Sequence, residues 1–168
     1  QMLSRGGTDP PVHGIIRATP GEHLRGDARW AEDGYRLTVA GEMREAALFG
    51  ENMVLRREIS TVYGSRTITV TDEIENESYR EEPLMLLYHI NMGYPFLDEN
   101  TRLYIPTRGV AARDRDGEGH EKEYDRMAAP RDNEPEYVFI HDLKQDEAGE
   151  TEILAVNRPL GLGLRLSY

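Results

Sequence analysis

Apolar and polar side chains alternate with a period of two along most of the chain. Tyr35, Leu37 and Val39 alternate with Arg36 and Thr38, and Leu55, Arg57, Ile59, Thr61 and Tyr63 alternate with Arg56, Glu58 and Ser60. Thr67-Ile68-Thr69-Val70-Thr71 repeats the pattern, and the runs 136–142, 152–156 and 160–166 read as further strands. Successive side chains of a strand point to opposite faces, so each run predicts a half-buried strand. The β-branched and aromatic content suits that reading. Turn signals separate the runs: Asp33-Gly34, Phe49-Gly50-Glu51-Asn52, Tyr63-Gly64-Ser65 and Asn157-Arg158-Pro159. Many short strands with such turns predict an all-β protein, an antiparallel sandwich or barrel.

One run is apolar throughout. Pro83-Leu84-Met85-Leu86-Leu87-Tyr88 leads into His89-Ile90-Asn91-Met92 and a Gly93-Tyr94-Pro95 turn. If residues 84–91 form a strand, His89 and Asn91 share a face while Tyr88 and Ile90 take the other. Polar groups delivered in pairs at the end of a buried strand are what a ligand pocket needs. A core histidine bonded to backbone, with Asn91 capping the turn, accounts for the same residues.

The segment 113–135 breaks the pattern. It holds Asp114, Arg115, Asp116, Gly117, Glu118, Gly119, His120, Glu121 and Lys122 with few apolar residues, and reads as a long polar loop. His120 is expected there as an exposed histidine without a role. No internal repeat or linker divides the chain, so residues 1–168 are read as one domain.

Composition narrows the function classes. A chain of 168 residues can bury a real core, and the mean hydropathy of −0.65 fits a soluble protein. No apolar run approaches the roughly 20 residues of a membrane helix, and Gln1-Met2-Leu3-Ser4-Arg5-Gly6-Gly7 has no apolar signal core. With no cysteine, a disulfide framework and thiolate metal sites are excluded, and a reducing, cytoplasmic setting is expected. A net charge of −11 argues against nucleic acid or an anionic membrane surface as partner. A neutral polar small molecule fits best.

Five histidines are present: His13, His23, His89, His120 and His141. They show neither the His-x-His nor the His-Glu-x-x-His spacing of a metal site. Neither a Gly-x-Ser-x-Gly elbow nor a phosphate-binding Gly-Lys loop occurs, so no metal or cofactor is expected. His13, His89 and His141, the last beside Asp142, fall at predicted strand ends. Histidine is the usual proton carrier near neutral pH, so such groups on one sheet face would make an acid–base site. A structural explanation for each separately is equally open.

The order of these segments resembles the aldose 1-epimerase (galactose mutarotase) superfamily, nearest to a less characterised aldose-epimerase-like branch. The resemblance runs through Val12-His13-Gly14-Ile15-Ile16-Arg17-Ala18-Thr19-Pro20, Gly41-Glu42-Met43-Arg44-Glu45, Leu55-Arg56-Arg57-Glu58-Ile59 and Leu87-Tyr88-His89-Ile90-Asn91-Met92-Gly93-Tyr94-Pro95. Phe139-Ile140-His141-Asp142-Leu143 and Asn157-Arg158-Pro159-Leu160-Gly161-Leu162-Gly163 continue it. The resemblance implies a large antiparallel β-sandwich, the supersandwich of the sugar mutarotases, and interconversion of the anomers of a monosaccharide or derivative. By position it makes His89 the catalytic acid that protonates the ring oxygen. His13, Arg17, Asn91, Tyr94 and Asp142 become the sugar-binding residues, Asp142 more loosely because His141-Asp142 inverts the common order. His13, His89 and Asp142 are expected to converge on one concave face.

The chain departs from the family pattern in two respects. The general base of the family is a glutamate that would lie beyond Tyr168, and the arginine expected before the first histidine has no good counterpart, since Arg5 is too near His13. The domain is therefore expected to be an incomplete sandwich, a fragment of a longer mutarotase-like domain. Its open sheet edges would favour self-association. A non-catalytic carbohydrate-binding sandwich is the competing expectation, since fold does not settle function.

Overall fold

The computed structural model describes residue 14 and residues 16–168. Its regular elements are a short 3-10 turn, Ile16–Ala18, and nine strands, all paired antiparallel, so the chain is all-β as the alternation predicts. No helix among the described residues is long and apolar enough to cross a membrane. The chain divides into two compact units, Gln1–His89 and Ile90–Tyr168.

The first unit is a meander of β1 (Glu22–Ala31), β2 (Gly34–Ala46), β3 (Asn52–Val62) and β4 (Thr69–Asn76), in sheet order β1-β2-β3-β4. Its register sorts the side chains by face. Trp30 opposes Tyr35, Val39 opposes Ile59, Met43 opposes Leu55, and Leu55 opposes Ile74, which gathers one apolar face. The other face pairs Asp27 with Thr38, Glu42 with Arg56 and Arg56 with Glu73. A one-residue slip would exchange the two sets. The most buried apolar side chains of this sheet are Met53, Val54 and Leu55 of central β3, and Ala40 of β2, opposite Glu58.

Two backbone features shape this sheet. Gly34 closes the β1–β2 turn at φ +127°, and a Cβ there would come within 2.9 Å of Val62, so glycine fits where other residues are strained. A bulge between Glu22 and Arg25 places His23 at φ 49° and turns its ring onto the Glu42 carboxylate.

The second unit holds β5 (Thr101–Tyr104), β8 (Glu152–Asn157) and β9 (Leu162–Ser167) in the order β5-β8-β9, and a two-stranded ribbon of β6 (Thr107–Ala112) and β7 (Phe139–Leu143). Between β6 and β7, residues 113–138 are turns and irregular chain with one isolated antiparallel bridge, Arg126 to Arg102. This excursion folds back on β5, where the Leu103 amide donates to the Asp125 carbonyl at 2.8 Å. His120 is half-buried within it, with Nδ1 3.0 Å from Glu123 and its ring stacked 4.4 Å from that of Tyr137.

The apolar run is a correction to the sequence reading. Residues 81–93 belong to no strand, helix or turn, although the composition of 84–91 predicts a strand. No strand among the described residues supplies it with a ladder, and Leu84, Met85, Leu86, Leu87, Tyr88 and Ile90 are exposed. Apolar composition makes a segment able to pair; a strand also needs a neighbour.

Candidate functional site

The sequence places its candidate site around 88–95, and two different anchors hold that stretch, one in each unit. In the first unit the anchor is a carboxylate on the apolar face of the sheet. Register puts Arg57 of β3 opposite Asp72 of β4, between the apolar pairs Leu55–Ile74 and Ile59–Val70. The Arg57 Nε donates to Asp72 Oδ1 at 2.7 Å and its Nη2 to Oδ2 at 2.6 Å. Two parallel charge-assisted bonds of this kind fix direction as well as distance. The Asp72 side chain is only 4% exposed.

Tyr88 completes this group. Its hydroxyl donates to Asp72 Oδ2 at 2.6 Å, and the Arg57 guanidinium lies 5.9 Å from the centre of its ring. The Arg57 hydrogen bond, helped by that from Tyr88, holds the Asp72 carboxyl below the usual carboxylate range against the opposing effect of burial. The same contact with Asp72 pushes the Tyr88 phenol up. The segment 83–89 thus meets the sheet through one buried charge and one hydroxyl.

In the second unit a buried amide holds the turn that follows Asn91. The Asn157 side chain is fully buried. Its Nδ2 donates to the Phe96 carbonyl at 2.9 Å and to Asp98 Oδ1 at 2.8 Å, while its Oδ1 accepts from the Leu160 amide at 3.2 Å. Thr101, also fully buried, donates its hydroxyl to the same Phe96 carbonyl at 2.5 Å. The Leu97 amide closes back on the Gly93 carbonyl at 3.0 Å, across a cis Tyr94-Pro95 peptide. Hydrogen bonds from Asn100, Asn157 and Thr101, that from Asn100 foremost, hold the Asp98 carboxyl below its usual range.

The residues predicted for the site are placed as follows. His13 lies outside the described residues. Arg17 sits in the 3-10 turn and is exposed. His89, exposed, ends the first unit. Asn91 and Tyr94 are exposed in the second unit, Tyr94 at 85%. Asp142 is exposed on β7, where Arg108 Nη1 approaches its Oδ1 at 3.3 Å. Within the second unit no hydrogen bond or ion pair joins any two of Asn91, Tyr94 and Asp142; the Asp142 carboxylate pairs with Arg108.

Three groups carry chemistry that the sequence reading passed over. Asp72 and Asn157 are the anchors just described; the available signal was Arg57, a charged residue in phase with Leu55 and Ile59. Glu45 is the third. It is 4% exposed, neither carboxylate oxygen has a hydrogen-bond partner among the described residues, and burial pushes its pKa up. On β7, His141 has its ring edge-on to Tyr124 at 4.9 Å and a buried Nδ1 without a partner among the described residues, and burial lowers its pKa.

Elsewhere on the first unit, the polar face of the sheet forms an open cleft of about 400 Å³ lined by His23, Arg25, Glu42, Arg56, Glu58 and Glu73. Within or beside it His23 meets Glu42, Arg25 pairs with Glu58, and Arg56 pairs with Glu42 and Glu75. Among the described residues no group of three or more His, Asp or Glu side chains is placed to hold a metal ion.

These features can be set beside known proteins. No curated protein matches the chain. Among solved structures, the crystal structure of a "putative aldose 1-epimerase" from Klebsiella pneumoniae matches with a TM-score of 0.83 at 21% identity. The match covers 89% of this chain and 38% of that one, so the chain spans well under half the length of its structural neighbour. At this identity the likeness shows the fold, which is that of an aldose 1-epimerase β-sandwich. The family model described as Domain of unknown function (DUF4432) matches residues 1–168, and the chain belongs to that family.

Proposed function

We propose that the protein carrying this chain is an isomerase of the aldose 1-epimerase type, interconverting the anomers of a monosaccharide or a close derivative. The observation that carries the reading is the segment His89-Ile90-Asn91-Met92-Gly93-Tyr94-Pro95 in a chain with the fold of an aldose 1-epimerase. In that reaction a base takes the proton from the hydroxyl on C1 while an acid gives one to the ring oxygen. The bond between C1 and the ring oxygen breaks as the C1 carbonyl forms. Rotation about C1–C2 then presents the other carbonyl face, and reversal of the two proton transfers recloses the ring. Atoms, protons and oxidation state all return to their starting values, so two side chains suffice and no redox partner enters.

His89 is the acid. Imidazole titrates near neutral pH and can both give and recover the proton within one turnover. The base is a carboxylate. His13, Arg17, Asn91, Tyr94 and Asp142 bind the sugar hydroxyls, with Tyr94 offering an exposed aromatic face. The fold likeness and the motif support these roles. A neutral sugar also suits a chain with a net charge of −11, and cytoplasmic residence fits a chain without cysteine.

The test follows relaxation of freshly dissolved α-glucose and α-galactose by polarimetry, with a wider aldose panel by NMR exchange spectroscopy. Acceleration by the wild-type protein supports the isomerase. Saturable sugar binding without acceleration would establish the carbohydrate-binding module instead.

A further inference from the structure

We infer that Tyr88 is a positioning residue for His89: its hydroxyl, held on Asp72 by the Arg57 guanidinium, fastens segment 83–89 to the sheet and sets where the next side chain stands. The kinetic part of this inference rests on the proposed function; the geometric part does not.

Three observations lead here. First, the segment has no ladder of its own, since residues 81–93 belong to no strand. Secondly, its apolar side chains are only partly covered: Leu84, Met85, Leu86 and Leu87 each keep more than a third of their surface exposed. Thirdly, a specific polar contact does hold it. Asp72 is a nearly buried carboxylate between the pairs Leu55–Ile74 and Ile59–Val70, fixed by two bonds from Arg57, and the hydroxyl it accepts belongs to Tyr88. A buried charge set among aliphatic pairs is costly unless its lone pairs are satisfied, so the Tyr88 hydroxyl answers a need of the sheet as well as of the segment. His89 follows Tyr88 directly in the chain, so fixing Tyr88 on the sheet restricts the backbone from which the His89 side chain leaves. An acid that must reach one ring oxygen depends on such direction, and a displacement of about 1 Å can cost on the order of a hundredfold in rate.

Tyr88→Phe is the primary variant, because it keeps the ring and removes only the hydroxyl; Asp72→Asn keeps the shape of the anchor and removes its charge. Three quantities are read on each: backbone NMR order parameters of residues 84–91, the His89 imidazole resonances assigned with His89→Ala, and kcat and KM for one aldose. Tyr88→Phe is expected to lower the order parameters, move the imidazole resonances, and lower kcat roughly tenfold to a hundredfold with KM little changed. Unchanged order parameters and unmoved His89 resonances in Tyr88→Phe would overturn the anchor. Moved resonances with an unchanged kcat would overturn its role in the reaction. If the wild-type protein accelerates no sugar, the proposed function fails alone, and order parameters and resonances still decide whether Tyr88 positions His89.

Discussion

Asn157 and Phe96 lie 61 residues apart in sequence and are joined by a 2.9 Å hydrogen bond from the buried side-chain amide to the backbone carbonyl. One residue at the end of β8 thus holds the turn that begins at Gly93 and carries Tyr94. The same amide satisfies Asp98 and accepts from the Leu160 amide, so it ties a turn and a hairpin together.

Asn157→Ala should therefore be costly beyond its size. It removes a fully buried side chain together with its hydrogen bonds to the Phe96 carbonyl, Asp98 and the Leu160 amide. Hydrogen bonds made by a buried side chain typically contribute about 0.5–1.5 kcal/mol each. Urea denaturation should show a lower midpoint with an unchanged slope. A midpoint equal to wild type would mean that water or another side chain replaces the amide.

Glu45 and Asp72 should respond to pH with opposite sign. Burial raises the Glu45 pKa in the folded protein. Its protonated form then favours folding, and that contribution is full below the ordinary carboxylate range and is lost as pH rises through the folded value. Glu45→Gln should melt at a higher temperature than wild type at neutral pH and converge with it in acid. A variant less stable than wild type at neutral pH would show that the carboxylate is ionised and partnered.

For Asp72 the shift runs downward, with the Arg57 hydrogen bond as its main cause. Its contribution is present above the ordinary carboxylate range and is lost as pH falls through the lowered folded value. Asp72→Asn should therefore be less stable than wild type at neutral pH, because Arg57 loses its charge partner, and the gap should narrow in acid. Thermal melts across pH read both variants in one series, and a pH-independent gap for Asp72→Asn would contradict the ion pair.

How far the sequence disclosed this arrangement differs from residue to residue. The alternation of Tyr35, Leu37 and Val39 and of Leu55, Arg57 and Ile59 marks β2 and β3 because each side chain there has one apolar and one polar neighbour face. β1 was invisible: Glu22, His23, Arg25, Asp27 and Arg29 crowd a ten-residue strand that is exposed along its whole length. The run 84–91 misled in the other direction, since pairing depends on a neighbouring strand and not on composition. The turn after Asn91 was legible from Gly93-Tyr94-Pro95. Its anchor was not, because Asn157 acts through contacts that only the folded chain creates. Asp72, between Thr71 and Glu73, reads as a surface residue until register sets it opposite Arg57.

The sugar-binding residues should separate from the acid in their kinetics. His13→Ala should raise KM as well as lower kcat, since holding a hydroxyl matters in ground and transition states alike. Asn91→Ala should be milder than either histidine variant if it serves the turn or His89. Steady-state constants on one aldose distinguish these patterns, and an Asn91→Ala loss as large as that of His89→Ala would assign Asn91 a direct part in proton transfer.

The most direct test is the anomerisation rate of wild type against His89→Ala, measured by polarimetry on freshly dissolved α-galactose and α-glucose alongside sugar binding by calorimetry. The account predicts that wild type speeds relaxation and that His89→Ala lowers kcat roughly 10²–10⁴-fold while sugar affinity changes little. A His89→Ala protein that relaxes these sugars as fast as wild type would contradict it.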